Sequence, residues 1–125
     1  MKIKLKNKNA PGVIYIERNI HDGAIVISGT LTVVTGDSAI NVTIAKELET
    51  AAHEITALGG IVGHIKASSV VTSTSMISIT DEEAMIKDSP ECIVKITLAA
   101  IVFLVEPEAA SQIMRKALAS VRAGA

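Results

Sequence analysis

The segment from Cys92 to Val105 constrains the fold more than any other part of this sequence. Its first half alternates apolar and polar residues, with Lys95 and Thr97 on one side, as a half-buried strand does. Its second half, LAAIVFLV from Leu98 to Val105, is apolar on both sides. A strand of that kind has to be covered on both faces. The run is also far too short to span a bilayer, so we expect no membrane partner.

Two further strands are predicted near the N-terminus, on either side of Asp22-Gly23. This dipeptide favours the tight turn of a β-hairpin. We therefore predict strands over Val13–Ile20 and Ala24–Val34. Alternation in the second strand gives it one apolar side and one side that carries mostly hydroxyl groups.

Two segments show apolar residues at helical spacing. The first runs from Ile40 to Leu58 and is followed by Gly59-Gly60, one of which is expected in the left-handed conformation that ends many helices. The second begins at Pro107, a residue that suits the first position of a helix. We predict one helix from each segment.

Strands over residues 61–68, 75–79 and 92–105 are predicted between these helices. In the first of them, alternation places Ile61 and Ile65 on one side, and Val62, His64 and Lys66 on the other. After the second, Thr80 and Glu83 have the spacing of a capping box, which predicts a short helical turn through Lys87. The chain breaks again at Ser89-Pro90.

The predicted order is β-β-α-β-β-β-α, which describes an α+β fold. Both helices can cover one face of a mainly antiparallel sheet, giving a two-layer sandwich. A ferredoxin-like arrangement fits this order, in its regular form or circularly permuted with the N-terminal strand completing the sheet. We expect residues 11–125 to form one such domain. Residues 1–10 contain four lysines and are predicted to be a basic arm or a lysine-protected edge strand.

The sheet face opposite the helices, the open face, is expected to be polar. Lysine supplies a point charge, hydroxyls supply neutral donors, and histidine can switch near neutral pH, so such a face could hold a small anionic metabolite. A solvated strand surface and a polar subunit interface are the alternatives. Ser78 is expected to join the face from the strand at 75–79. The candidate ligand-binding residues are Ser28, Thr30, His64, Lys66, Lys95 and Thr97.

Self-association is expected from the doubly apolar half of the 92–105 strand. A chain of 125 residues has few elements left to cover its second side, and soluble monomers rarely leave a large apolar patch bare. A symmetric homo-oligomer would cover it. The candidate interface residues are Leu98, Ile101 and Phe103.

Other classes of function are disfavoured. The net charge of −1 argues against a general polyanion binder. The open face is expected to carry neither of the two aromatic residues, Tyr15 and Phe103, which disfavours base stacking on the sheet. The acidic stretch from Thr80 to Glu91 lacks the spacing of a calcium loop, and His53 beside Glu54 lacks the second histidine of a zinc helix, so no metal site is predicted. The N-terminus carries charge without an apolar signal core, which favours a cytoplasmic protein.

Three functional hypotheses remain. The first is a small cytoplasmic homo-oligomeric binding or regulatory module with an anionic small-molecule site at a subunit interface. The second is a small enzyme that uses His64 as general acid or base. The third is a structural subunit of a larger assembly that binds no ligand. The sequence identifies no cofactor.

Overall fold

The computed structural model describes residues 10–37, 39–73, 75–80, 82–88 and 91–125. The predicted basic arm over residues 1–10 lies outside this range, apart from Ala10. The elements in chain order are β1 (Tyr15–His21), β2 (Ala24–Thr35), α1 (Ile40–Ala57), β3 (Ile61–Thr72), β4 (Ser75–Thr80), β5 (Glu83–Asp88), β6 (Cys92–Phe103) and α2 (Pro107–Gly124). The fold is α+β, with two helices and a mainly antiparallel sheet, as the sequence predicts.

The main sheet has the strand order β1-β2-β6-β3, and every neighbouring pair is antiparallel. β6 therefore lies inside the sheet, while β1 and β3 form its edges. Both helices pack on one side, against alternate residues of β2 and β6 that are buried to 4% exposure or less. These are Ile25, Ile27, Leu31, Val33, Val94, Ile96, Leu98, Ala100 and Val102. This core explains why β6 is so strongly apolar.

The hairpin between β1 and β2 closes through Asp22 and Gly23, as predicted. Both have positive φ, 50° and 82°, which is the requirement of the two-residue turn that matches the twist of antiparallel strands. His21 and Ala24 form the pair that flanks the turn. The turn fixes the register of the whole β1–β2 pair.

The two helices begin and end where the sequence indicates. Ahead of α1, the Asp37 carboxylate accepts a hydrogen bond of 2.8 Å from the backbone N–H of Ala39. After α1, Gly59 has φ 83° and so is the left-handed residue of the glycine pair. α2 begins with Pro107 and carries Glu108 in its first turn, where a carboxylate favours the positive end of the helix dipole.

Charged side chains join the helices to each other and to the sheet edge. The Lys116 ammonium donates a 2.7 Å hydrogen bond to the Glu54 carboxylate, which links α2 to α1. The guanidinium of Arg18 on β1 pairs with the carboxylate of Glu108 on α2. The Glu54 carboxylate raises the pKa of Lys116, and the Arg18 guanidinium lowers the pKa of Glu108.

The predicted helical turn through Lys87 is wrong, because this segment forms β5. β4 and β5 pair as a separate two-stranded sheet, in which Thr80 is opposite Glu83. The capping-box spacing of these two residues is therefore the spacing of a hairpin turn. The prediction that Ser78 joins the open face is wrong for the same reason. The hairpin of β4 and β5, residues 75–88, is called the arm below and is distinct from the predicted basic arm over residues 1–10.

One expected orientation in β3 is also wrong. The pairing of β3 with β6 is irregular between Val62 and His64, where Gly63 is an extra residue. Such a bulge places two residues opposite one and interrupts the alternation. Val62 therefore packs with Ile65 against the helix-facing core, whereas Ile61 is 53% exposed.

Candidate functional site

The open face of the four-stranded sheet carries all six candidate ligand-binding residues. Residues directly opposite each other in neighbouring antiparallel strands lie on the same face, so the register assigns each residue to a side. The six are Ser28 and Thr30 on β2, His64 and Lys66 on β3, and Lys95 and Thr97 on β6. Their role in ligand binding stays a prediction.

Three hydroxyl side chains lie next to one another across the middle of the open face. Thr30 is opposite Thr97, and Thr97 is opposite Ser68. Because neighbouring strands lie about 4.8 Å apart, these residues form a continuous row, here called the hydroxyl row. A hydroxyl can donate a hydrogen bond to an anionic oxygen and can also accept one.

Two lysines flank the hydroxyl row along the strand direction. Lys66 lies two residues before Ser68 on β3, and Lys95 lies two residues before Thr97 on β6. Since β3 and β6 are antiparallel, the lysines lie on opposite sides of the row. Each backbone position is about 7 Å from the row, a distance that a flexible lysine stem can bridge.

Both lysines are exposed to solvent. Neither belongs to an ion pair formed within the part of the chain that the structure describes. An unpaired ammonium keeps its full charge and all three of its hydrogen-bond donors for a ligand. The middle of the open face thus combines two cations with three hydroxyl groups.

The hydroxyl of Thr30 is buried and has no hydrogen-bond partner among the described residues. Nearly all buried polar groups in proteins have a partner, and an unsatisfied one costs about 1–3 kcal/mol. Thr30 lies at the inner end of the hydroxyl row, on β2. A polar ligand or a water molecule bound over the row would lie close to this group.

His64 and Ser28 share the open face but lie away from the hydroxyl row. His64 is exposed and opposite Ile101, four residues from Ser68, which is about 13 Å along the strand. Ser28 is opposite Ala99, as is Lys66. The six predicted residues therefore share one face. Four of them, Thr30, Thr97, Lys66 and Lys95, belong to the hydroxyl row or flank it.

The β1 edge of the open face carries the opposite charge. The Tyr15 hydroxyl donates a 2.6 Å hydrogen bond to the Glu17 carboxylate, and this carboxylate raises the pKa of Tyr15. Glu17 is opposite Ser28, three strands from Lys66 and so about 14 Å away. The face is therefore negative at β1 and positive at β3 and β6.

The candidate interface residues divide between two sides of β6. Leu98 is 1% exposed and belongs to the helix-facing core, so its prediction as an interface residue is wrong. Its apolar character is already used within the chain. Ile101 is 39% exposed and Phe103 is half-buried, both on the open face. They lie beside Ile61, at the end of the face nearest α2. The expectation that this face carries no aromatic residue is therefore wrong, because the register places both Phe103 and Tyr15 on it.

A shallow depression between the end of α1 and the start of α2 was not expected from the sequence. It is lined by Leu58, Leu104, Val105, Glu106 and Ala109. Leu104 has φ 58° and is 72% exposed, which is an uncommon conformation for a bulky residue. No pattern in the sequence marks this position, because its conformation depends on how β6 joins α2.

No group of three or more His, Cys, Asp or Glu residues in the described part of the chain is arranged to hold a metal ion. None of the described helices is long and apolar enough to cross a membrane. Cys92 is a free thiol.

Comparison with known proteins identifies no relative of this chain. No protein-family model matches the sequence, and no significant match was found among curated proteins or solved structures.

Proposed function

We propose that this protein is a small homo-oligomeric binding or regulatory module that holds an anionic small molecule on its open face, where subunits meet. One observation carries the ligand part of the proposal. Lys66 and Lys95 flank a row of three hydroxyl side chains, and neither lysine has an ion-pair partner among the described residues.

The chemistry of this arrangement suits phosphate and carboxylate groups. Each ammonium contributes a charge-assisted hydrogen bond, and the hydroxyls of Thr97 and Ser68 contribute neutral ones. The lysines approach from opposite sides of the row, so a ligand with several anionic oxygens can contact both. Phosphorylated metabolites and polycarboxylates have that character.

The apolar surroundings of the hydroxyl row support the oligomeric part of the proposal. Ile101 and Ile61 lie beyond one side of the row, and Ile93 and Val70 lie beyond the other. All four are between 39% and 63% exposed. A second subunit that covered these residues would exclude water from the lysines and strengthen their attraction to an anion.

The catalytic hypothesis receives no comparable support. His64 lies about 13 Å from the hydroxyl row along the strand, so it could not exchange a proton with a ligand bound between the lysines. A structural subunit without a ligand remains the competing reading, and a binding measurement separates the two.

We also propose a more specific description of the fold. In the order β1-β2-β6-β3, transfer of β1 to the C-terminal end of the chain, with the arm left out, would give a βαββαβ order. That order is the ferredoxin-like one, so the fold is proposed as a circular permutation of it.

Isothermal titration calorimetry tests the binding proposal, with inorganic phosphate and citrate as probes. We expect at least one probe to bind, and Lys95→Met to weaken its affinity about 10-fold to 100-fold, the range for loss of one charge-assisted hydrogen bond. Thr97→Val, which keeps the shape of the side chain, should weaken binding by a smaller factor.

Lys46→Met is the matched control, because Lys46 is an exposed lysine on α1, on the other side of the sheet. It should bind the probe as the unmodified protein does. Absence of binding by either probe would favour the structural hypothesis. Equal losses in the Lys46 and Lys95 variants would show a non-specific charge effect and would exclude the proposed site.

A further inference from the structure

The arm has one strongly apolar side that is left uncovered. Ile77 is opposite Ile86, and Ile79 is opposite Ala84, so these four side chains share one side of the hairpin. The three isoleucines are 68%, 73% and 71% exposed. Among the described residues, β4 and β5 pair with each other and make no extensive contact with any other strand or helix.

An arm of this kind needs a surface to pack against. A two-stranded hairpin by itself is at best marginally stable in water, and adjacent exposed isoleucines usually mark a binding surface. Polar residues at the positions of Ile77 and Ile86 would have made the same hairpin soluble. The sequence instead places large β-branched apolar residues opposite each other.

The open face offers apolar side chains of the matching kind. Val70 and Ile93 lie toward the end where β3 leads into the arm, and Ile101 and Ile61 lie toward the other end. Along each of its strands the arm has six residues, about 20 Å. It can therefore extend over roughly three successive positions on the open face, enough to cover one of these apolar groups and the hydroxyl row.

We propose that the arm of one copy packs its isoleucine side onto the open face of a second copy, and that the exchange is reciprocal. This inference rests on the proposed homo-oligomer and identifies its interface. A two-fold dimer is the simplest assembly in which every arm and every open face is covered.

The reciprocal exchange doubles the contact between the two copies. Each copy contributes its arm and the part of its open face that the partner's arm covers, and both contributions count toward the about 20–30 residues on each side of a typical interface.

Charge complementarity also favours a second copy of this chain. Glu82 and Glu83 lie at the tip of the arm and are exposed, whereas the open face presents Lys66 and Lys95. Opposite potentials of this kind steer two surfaces together and increase the association rate.

Substitution on the two sides of the arm tests the proposal. We expect the unmodified protein to be a dimer by light scattering, and Ile77→Thr/Ile86→Thr to weaken self-association on the order of a thousand-fold, because two arms per dimer each lose two apolar contacts. Threonine keeps the preference for strand. Met85→Thr is the matched control: Met85 is 65% exposed on the other side of the same hairpin, and this variant should remain dimeric.

The open-face variant Ile93→Thr/Ile101→Thr should also be monomeric. Mixing the arm variant with the open-face variant then distinguishes exchange between copies from other occupants. The first has an intact open face and the second an intact arm, so the mixture should form heterodimers with one correct contact, detected by energy transfer between labelled copies. Neither variant alone should give this signal.

Three outcomes would overturn the proposal: a monomeric unmodified protein, an arm variant with the unmodified mass, or a mixture that forms no heterodimer. The last would mean that the arm binds its own chain or a different partner. Circular dichroism of the variants excludes unfolding as the cause. Phosphate and citrate titration of the arm variant separates failure of this proposal from failure of the ligand site. Lys66, Lys95 and the hydroxyl row are unchanged in it, so the variant should still bind, with lower affinity because no second copy covers the lysines.

Discussion

The glycine pair that joins α1 to β3 gives a sharp test of the structure, because its two members are required for different reasons. Gly59 has φ 83° and nothing near the position of an added Cβ, so its requirement is conformational. A Cβ at Gly60 would lie 2.9 Å from Ile55 Cγ2, 3.0 Å from the Ile55 carbonyl oxygen and 3.2 Å from the Phe103 carbonyl oxygen. Its requirement is space.

The expected magnitudes follow from these surroundings. Gly59→Ala should lower the free energy of unfolding by about 1 kcal/mol, the strain of a left-handed L-residue partly offset by a stiffer unfolded chain. Gly59→Asn should cost less, because asparagine tolerates this conformation. Gly60→Ala should cost about 2–3 kcal/mol, at the upper end for overpacking, since two of the three obstacles are backbone oxygens. One of them, the Ile55 oxygen, accepts the Gly60 N–H at 3.0 Å.

Equilibrium unfolding in urea measures these three variants and Gly60→Asn, at one fixed protein concentration because self-association adds to the measured stability. The decisive comparison is between the asparagine substitutions: Gly59→Asn should be nearly neutral, while Gly60→Asn should cost at least as much as Gly60→Ala. Equal costs at the two positions would refute the reasoning. They would mean that the backbone at Gly60 does not lie close to Ile55 of α1 and Phe103 of β6.

Two further predictions concern the helices. In urea unfolding, Ile55→Ala should lower the free energy of unfolding by about 2–4 kcal/mol, because Ile55 is fully buried. Val42 lies on the same helix but is 70% exposed, so Val42→Ala should change this free energy by less than about 0.5 kcal/mol. Comparable losses in the two variants would mean that α1 packs on the sheet with a different face. The pKa of Lys116 is raised above its ordinary value of 10.5 by the Glu54 carboxylate, so the stability from this pair is complete below pH 10.5 and is lost as the pH rises through the raised value. Lys116→Met should remove that part of the alkaline loss in thermal unfolding, and an unchanged alkaline profile would contradict the pairing.

Much of the fold could be predicted because local patterns and tertiary environment agree. The Asp22-Gly23 turn requires two positive φ values that few other residue pairs adopt, and the structure has both. The apolar pattern of β6 predicts a buried strand, and its alternate residues are buried in the core beneath the two helices. In such segments the local preference and the packing lead to the same element.

The arm was mispredicted because its sequence satisfies two local rules at once. Thr80 and Glu83 are three residues apart, which suits either a helix capping box or the two positions that flank a two-residue turn. The β-branched residues Ile77 and Ile79 favour a strand before the turn, and pairing with Ile86 then extends the strand after it. The choice between a helix start and a hairpin turn depends on which residues pair across the two strands. The spacing of Thr80 and Glu83 gives no information about that pairing.

The composition of the open face could be predicted, but its arrangement could not. Alternation assigns Thr97 and Lys95 to one side of β6 from the sequence alone, whereas the neighbours of Thr97 depend on register. The bulge at Gly63 adds one residue to β3 before Ser68. A register counted from Val62 without this extra residue would be wrong by one position at Ser68, so it would not place Ser68 opposite Thr97.

The same register explains why the open face suits both a ligand and a second copy of the chain. Its polar hydroxyl row lies between two apolar groups, Ile61 with Ile101 and Val70 with Ile93. Exposure to water is unfavourable for the apolar groups, whereas burial under an apolar surface is unfavourable for the hydroxyls and lysines. An arm from a second copy can cover the isoleucines, and an anion can pair with the lysines and accept hydrogen bonds from the hydroxyls of Thr97 and Ser68. Glu82 and Glu83 attract the lysines during association but lie only at the tip of the arm. Burial of both Lys66 and Lys95 by the rest of the arm would be unfavourable without a bound anion, because desolvated cations require a counter-charge. If both proposals hold, ligand and dimer should therefore stabilise each other, and phosphate or citrate should strengthen self-association of the unmodified protein but not of the Lys95→Met variant.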